Sequence, residues 1–286
     1  MPRDGLLLVG YLNEDAAVDY MKKRCSNSFT HDESSLRTAW REAYKKVQSP
    51  VAWLHPSVLR DIPPNLKHHT DLIEQDAEFA EVLDGMDYKF QVIEIDPLLA
   101  FQVDIDFARS DQACAGINQN PSIAEMLPRC LPTTKDTISF TTHLPASGKK
   151  GIVLETENRN VVAKDAEYWG IDAQDGLHTA GIKIGARPSL IQVVKFGSKY
   201  FLKNGYHRAF GLRKRGATEM PCLLLDGLLW GHVGAHPDEH LPESLFWAAN
   251  PATCGHFVHG LAMQTKLRQW IPQYEINVTP GGRWKD

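Results

Sequence analysis

The run Lys199-Tyr-Phe-Leu-Lys-Asn-Gly-Tyr-His-Arg-Ala-Phe-Gly-Leu-Arg-Lys-Arg-Gly216, continued by Pro221-Cys-Leu-Leu-Leu-Asp226, limits what this chain can fold into more than any other part of it. It reads as a strand, a glycine turn, a short helix closed by glycine, and a second strand. Ser189 to Phe196 precedes it with branched apolar side chains, and Gly197-Ser198 supplies turn chemistry, so residues 190 to 203 are expected to form a hairpin. Asn204-Gly205 ends the second strand. Ala209 and Leu212 then fall three apart on one helical face, and Gly216 is placed to close the helix with a left-handed cap.

The helix start carries the chemistry. Its first backbone N–H groups have no partner within the helix and point at whatever binds there, which favours an anion, phosphate above all. His207 and Arg208 place cations at that end, against the macrodipole unless an anion sits between them. Arg213, Lys214 and Arg215 fall in the last turn, where positive charge is favoured and read as solvated surface.

The segment Asn-Gly-Tyr-His-Arg-Ala-Phe-Gly-Leu-Arg-Lys-Arg-Gly at 204 to 216 resembles the signature of the ParB/sulfiredoxin superfamily, in its Gly-x-His-Arg form. The resemblance implies a phosphate- or nucleotide-binding turn made of Asn204, Gly205, Tyr206, His207 and Arg208. A looser match covers residues 90 to 106, similar to the superfamily's opening strand and loop. Where partition proteins continue with Pro-Arg, this chain has Val103-Asp104. Sulfiredoxins carry a cysteine where this chain has Tyr206, which argues against their reaction. The implied fold class is α+β: a small mixed sheet with helices of the ParB/sulfiredoxin-like kind, an N-terminal helical extension and a long insertion. The corresponding boundaries are 1–87 for the extension, 88–227 for the signature domain with its insertion at about 107–187, and 228–286 for a C-terminal extension packed on the core.

Composition is consistent with this. The chain has 286 residues, 43% hydrophobic and 23% charged, which suits a water-soluble globular protein with a sizeable core. No apolar run approaches the roughly 18 residues needed to cross a bilayer. Gly5-Leu-Leu-Leu-Val-Gly10 reads as a buried strand, since it lacks the flanks of a signal peptide. Five irregularly spaced cysteines argue against a disulfide scaffold and for a reducing, cytoplasmic setting. Cys222, inside an apolar strand, reads as a core residue. The net charge of −4 disfavours nucleic acid as the main partner, although Lys195, Lys199, Lys203 and Arg208 add local positive charge around the turn.

Helices are expected at 14–25, 33–47 and 71–83, capped by Asn13, Asp32 and Thr70, the last stopped by Gly85. Leu36, Ala39, Trp40, Ala43, Tyr44 and Val47 form a helical stripe that reads as a core face. Between 107 and 187 prolines interrupt the pattern. Ser147-Gly-Lys-Lys-Gly151 is a turn without P-loop spacing, and Ile152–Thr156 reads as a strand. A short helix at 262–271 and a terminal strand at 274–279 leave no room for the helix-turn-helix module that follows this domain in partition proteins. His232, His236 and His240 recur every four residues, with Cys254, His256 and His259 beyond. Gly234 and Pro237 break the helix that would align the first three, which argues against zinc, and no metal site is assigned.

For phosphoryl transfer the site needs positioning, charge neutralisation and an acid to orient the attacking group or hold magnesium. Glu94, Asp96, Asp104, Asp106 and Asp226 are the candidates. Asp104 is chosen as catalytic partner of His207, because it stands where relatives contact nucleotide; as polar positions of an alternating strand, Asp104 and Asp106 also have a purely structural reading. The resemblance implies a nucleotide triphosphate with Mg2+ as ligand and a phosphotransferase or hydrolase as the activity. A non-catalytic binding module and a ParB-like nuclease remain open alternatives.

Overall fold

The structure is a computed structural model, and it describes residues 2–26, 32–48, 54–135, 138–144, 151–156, 161–171, 178–186, 188–236, 240–269, 271 and 273–277. In chain order the elements are β1 (Arg3–Leu7), α1 (Glu14–Arg24), α2 (Glu33–Val47), β2 (Leu59–Asp61), α3 (Lys67–Glu74), α4 (Phe79–Leu83), β3 (Asp87–Glu94), β4 (Asp104–Asp106), α5 (Phe107–Ala113) and α6 (Ile123–Cys130). There follow β5 (Thr141–His143), β6 (Gly151–Glu155), β7 (Val161–Ile171), β8 (His178–Ala186), β9 (Gln192–Phe196), β10 (Lys199–Asn204), α7 (Tyr206–Lys214), β11 (Glu219–Gly227), α8 (Trp230–Val233), α9 (Gly255–Val258), β12 (Met263–Leu267) and β13 (Gln273–Asn277). Among the described residues this is a mixed α+β fold with nine α-helices and four open sheets.

Two compact units share the chain: Met1–Thr133 with Ser189–Gln269, and Thr134–Pro188 with Trp270–Asp286. The first holds a five-stranded sheet ordered β10-β9-β11-β3-β2 and a three-stranded sheet ordered β12-β1-β4. β11 runs parallel to β9 and antiparallel to β3, and β9 and β10 form the expected hairpin around Gly197 (φ 59°). Residues 107–133, read from sequence as part of the insertion, belong to this first unit as α5 and α6, and residues 228–269 close it with β12 on β1. The second unit contains the three-stranded sheet β13-β6-β5 and the β7–β8 ribbon. β6 and β13 match the strands expected there, while Lys149 and most of its predicted turn lie outside the described residues.

Local signals account for the helices that agree. Asn13 Oδ1 accepts from the Ala16 N–H at 2.9 Å, and Asp32 accepts from the N–H groups of Ser34 and Ser35, so both N-caps form as expected. The α2 stripe buries Leu36, Ala43 and Val47 but leaves Tyr44 41% exposed. Three expectations fail. Thr70 lies inside α3 rather than capping a helix: Pro64 opens a 3-10 turn that runs into α3, and the Thr70 hydroxyl donates to the Lys67 carbonyl. The single helix at 71–83 is split, because the Asp76 carboxylate accepts from the Glu78 N–H and forms a turn between α3 and α4. The segment expected as a helix at 262–271 is instead β12, whose exposed Gln264 and Lys266 alternate with buried Thr265 and Leu267. That period of two matches the free edge of β1.

One buried histidine gives the first unit a defined acid sensitivity. The Thr253 N–H donates to His256 Nδ1 at 3.2 Å, so that nitrogen carries no proton, and the Tyr11 hydroxyl donates to it at 2.7 Å. Burial, helped by His259, lowers the His256 imidazole to about 4, so it is neutral at pH 7. A depressed imidazole contributes stability that is complete above its ordinary value and is lost as pH falls toward 4, worth about 3 kcal/mol in all. His256→Asn is therefore expected to flatten the decline in unfolding free energy between pH 7 and pH 4.5. An unchanged decline in urea titrations would place the acid sensitivity elsewhere.

Candidate functional site

α7 begins at Gly205, whose φ of 104° lies in the left-handed region and whose missing side chain leaves room for Ile191 Cγ1, 2.7 Å from where a Cβ would stand. No side chain caps this helix start. The body of α7 is held from the other side. Phe210 stacks on Phe107 of α5 at 5.7 Å, and Gly211 meets Cys114 and the Ser110 carbonyl so closely that a Cβ would collide with both. Gly216 closes the helix at φ 91°, as its place in the sequence suggested.

The five residues of the turn do different things. Tyr206 is buried, its ring edge-on to Phe101 at 5.6 Å, and its hydroxyl accepts from the Phe101 N–H at 3.0 Å. Burial raises its phenol well above the usual range, and the buried ring with its hydrogen bond anchors the turn to the core. Asn204 donates from Nδ2 to the Leu190 carbonyl at 3.1 Å. Arg208 donates from Nη1 to the Arg129 and Ser189 carbonyls and from Nη2 to Ser189 Oγ. Its guanidinium is thus engaged with Ser189 and with the Arg129 carbonyl.

His207 belongs with Asp104. α7 packs on β4, and the imidazole lies close enough to the Asp104 carboxylate to favour its ionised form. Asp104 is buried, and its Oδ2 accepts from three donors: the Tyr20 hydroxyl at 2.7 Å, Arg24 Nε at 2.7 Å and Arg24 Nη2 at 2.6 Å. Burial pushes this carboxyl up, but Arg24, the Tyr20 hydrogen bond and His207 together outweigh it and hold it below the usual carboxylate range. Tyr20 moves the other way: burial and then the Asp104 charge raise its phenol well above normal, so it stays a donor.

The other acids have separate tasks. Asp106, also buried, caps α5 by accepting from the Arg109 N–H at 3.2 Å and lies 3.5 Å from Arg3. Asp96 pairs with Arg213 at 2.8 Å and with His259 at 2.9 Å. Glu94 accepts from the Ser57 N–H and hydroxyl, and Asp226 is exposed at the far end of β11. The structure therefore brings Asp104 to His207, leaves Asp96, Glu94 and Asp106 at other partners, and leaves Asp226 exposed. Of the last-turn cations Lys214 is exposed, as the sequence suggested, while Arg213 and Arg215 are half-buried. Arg213 pairs with Asp96, Lys214 lies 3.7 Å from Asp111, and Arg215 donates to the Gly211 carbonyl.

Tyr20 and Arg24 are the site residues that sequence reasoning missed. They lie 84 and 80 residues before Asp104, and no local pattern links them to it. Among the described residues no group of three or more His, Cys, Asp and Glu is placed to hold a metal ion. The spaced histidines go to other uses: His232 accepts from the Leu228 N–H, His236 stacks on His240, and His240 packs edge-on to Phe101. Cys222 is fully buried and its thiol is pushed well up by burial. Among the described residues no helix is long and apolar enough to cross a membrane.

Comparison of the chain with models of known protein families, with curated proteins and with solved structures finds no match.

Proposed function

We propose that this chain binds a nucleotide or another phosphate-bearing small molecule at the turn from Asn204 to Arg208, as a ParB/sulfiredoxin-like domain, and that His207 is the group through which it acts on the phosphate. The observation that carries this reading is the uncapped, glycine-led start of α7 with His207 beside a buried, ionised Asp104. Backbone N–H groups at 205 to 207 supply fixed donors for phosphate oxygens. His207, beside Asp104, would donate a hydrogen bond to the phosphate and, in a transfer or hydrolysis, a proton to the leaving oxygen.

Magnesium fits this site only as part of the ligand. Asp104 Oδ2 is taken by Arg24 and Tyr20, and Asp106 is engaged in capping α5, so neither is laid out as a dedicated metal carboxylate. Mg2+ would enter on the nucleotide's own phosphates. The same pinning of Asp104 favours a second reading, in which the turn holds a nucleotide without turnover. A carboxylate whose proton affinity is depressed is a weak general base, so Asp104 would orient His207 and abstract nothing.

Calorimetry with ATP and inorganic pyrophosphate tests the shared part of both readings. His207→Ala is expected to weaken binding by about 10- to 100-fold, the loss of one charged hydrogen bond. Equal affinity in the variant and the parent would remove His207 from the site. Product analysis after incubation with a nucleotide panel and Mg2+ separates the readings: cleavage or transfer lost in His207→Ala supports the enzyme, and tight binding with intact nucleotide supports the binding module.

A further inference from the structure

Asn204 and Arg208 reach the two places where the chain leaves the first unit and returns to it. The outgoing run of that unit ends at Thr133 and the returning run begins at Ser189. On the outgoing side, Arg208 Nη1 donates to the Arg129 carbonyl at 3.0 Å. On the returning side the same group donates to the Ser189 carbonyl, Nη2 donates to Ser189 Oγ at 3.2 Å, and Asn204 Nδ2 holds the Leu190 carbonyl at 3.1 Å. The two stems also bond directly, the Ile191 N–H donating to the Cys130 carbonyl at 2.7 Å. One guanidinium therefore fastens both stems of the neck from which the second unit departs.

The same guanidinium stands on the residue next to His207, one position further into α7. Its described acceptors in the neck, two carbonyls and a hydroxyl, carry no net charge, whereas a phosphate at the helix start offers charged oxygens that match the paired N–H geometry of arginine. We propose that Arg208 is shared between the neck and the ligand, so that anion binding at the start of α7 and fastening of the neck compete for one side chain. The inference rests on the phosphate reading of the turn. By reciprocity, a change that weakens the hold of Arg208 on the neck while keeping the guanidinium tightens the ligand, and the ligand loosens the neck by the same factor.

Amide hydrogen exchange at Ile191 reports the neck directly, because that N–H joins the two stems. Arg208→Ala is expected to speed exchange there by about tenfold or more, the loss of charge-assisted bonds to both stems. Saturating ATP is expected to speed exchange at Ile191 in the parent protein by at least about threefold, while amides of β3 and β11 stay protected. Ser189→Ala removes one neck acceptor and leaves the guanidinium in place, so it is expected to tighten ATP binding about two- to threefold and gives a second reading should Arg208→Ala unfold. Unchanged Ile191 exchange in a folded Arg208→Ala protein overturns the fastening. Unchanged or slower exchange under ATP concentrations at which calorimetry shows binding, or unchanged affinity in Ser189→Ala, overturns the competition. If neither ATP nor pyrophosphate binds the parent protein, the phosphate reading fails and takes the competition with it, while the Arg208→Ala arm still decides whether the neck is fastened.

Discussion

Arg24→Ala is expected to cost about 3–5 kcal/mol of folding stability, the range for breaking a buried ion pair by removing one partner. Arg24 supplies two of the three hydrogen bonds to Asp104 Oδ2, and the two side chains are only 19% and 9% exposed. Without the guanidinium, a carboxylate stays buried opposite a single tyrosine hydroxyl and the His207 imidazole. Asp104 escapes that penalty by taking up a proton, which a buried carboxyl without its guanidinium does above the ordinary aspartate value near 4, so the variant's loss should shrink as pH falls from 7 to 4 and further below it. The sign follows from the depressed carboxyl in the parent, whose contribution is complete above the ordinary value and is lost as pH falls through its folded one. Replacing both members with apolar side chains, as in Arg24→Met with Asp104→Leu, should recover most of the single-variant loss, since no charge is then left buried. Urea midpoints at pH 7 and pH 4 decide it. A loss under about 1 kcal/mol at pH 7 would mean that the pair is hydrated and does not set the charge state of Asp104.

The same pair shows where sequence reading stops. The hairpin, the α7 helix, its glycine ends and the caps at Asn13 and Asp32 were legible because each is set within a few residues by turn glycines and short oxygen-bearing side chains. α6 was equally open to reading. Ser122 and Glu125 form a capping box whose two hydrogen bonds join residues three apart, and Pro128, which reads as an interruption, is tolerated near the end of the helix. The failure at 262–271 is of another kind. Its burial alternates because β1, some 260 residues earlier, offers an edge, and nothing inside those ten residues encodes that partner. The site divides in the same way. His207 and the turn announce themselves locally and Asp104 follows from the order of strands, whereas Tyr20 and Arg24 reach the site only because α1 is carried there by the three-stranded sheet. Arg208 shows the converse: its place in the motif suggested a ligand contact, and its donors are found on carbonyls of the neck.

Gly205→Ala is expected to be the most damaging single methyl group that can be added to the turn. Two costs combine. An L residue held at φ 104° is strained by about 1–3 kcal/mol, and the new Cβ would stand 2.7 Å from Ile191 Cγ1, an overlap whose relief in a packed core costs about 1–3 kcal/mol more. Ile191 cannot step aside freely. It is fully buried, its N–H is bonded to the Cys130 carbonyl, and its carbonyl accepts from the Leu223 N–H of β11. A double-mutant cycle separates the terms: Ile191→Ala removes the overlapping atom but leaves the dihedral strain, so the pair should be less damaging than the sum of its members by about 1–2 kcal/mol. Strict additivity in denaturant unfolding would show that the dihedral carries the whole cost and that Ile191 makes no close approach. The displaced turn should also lose anion affinity even where the fold survives, because the N–H groups of Tyr206 and His207 are aimed by the conformation of Gly205 and by no side-chain cap. A folded Gly205→Ala protein that bound pyrophosphate as tightly as its parent would separate the glycine from the phosphate site and leave it the single task of making room for Ile191.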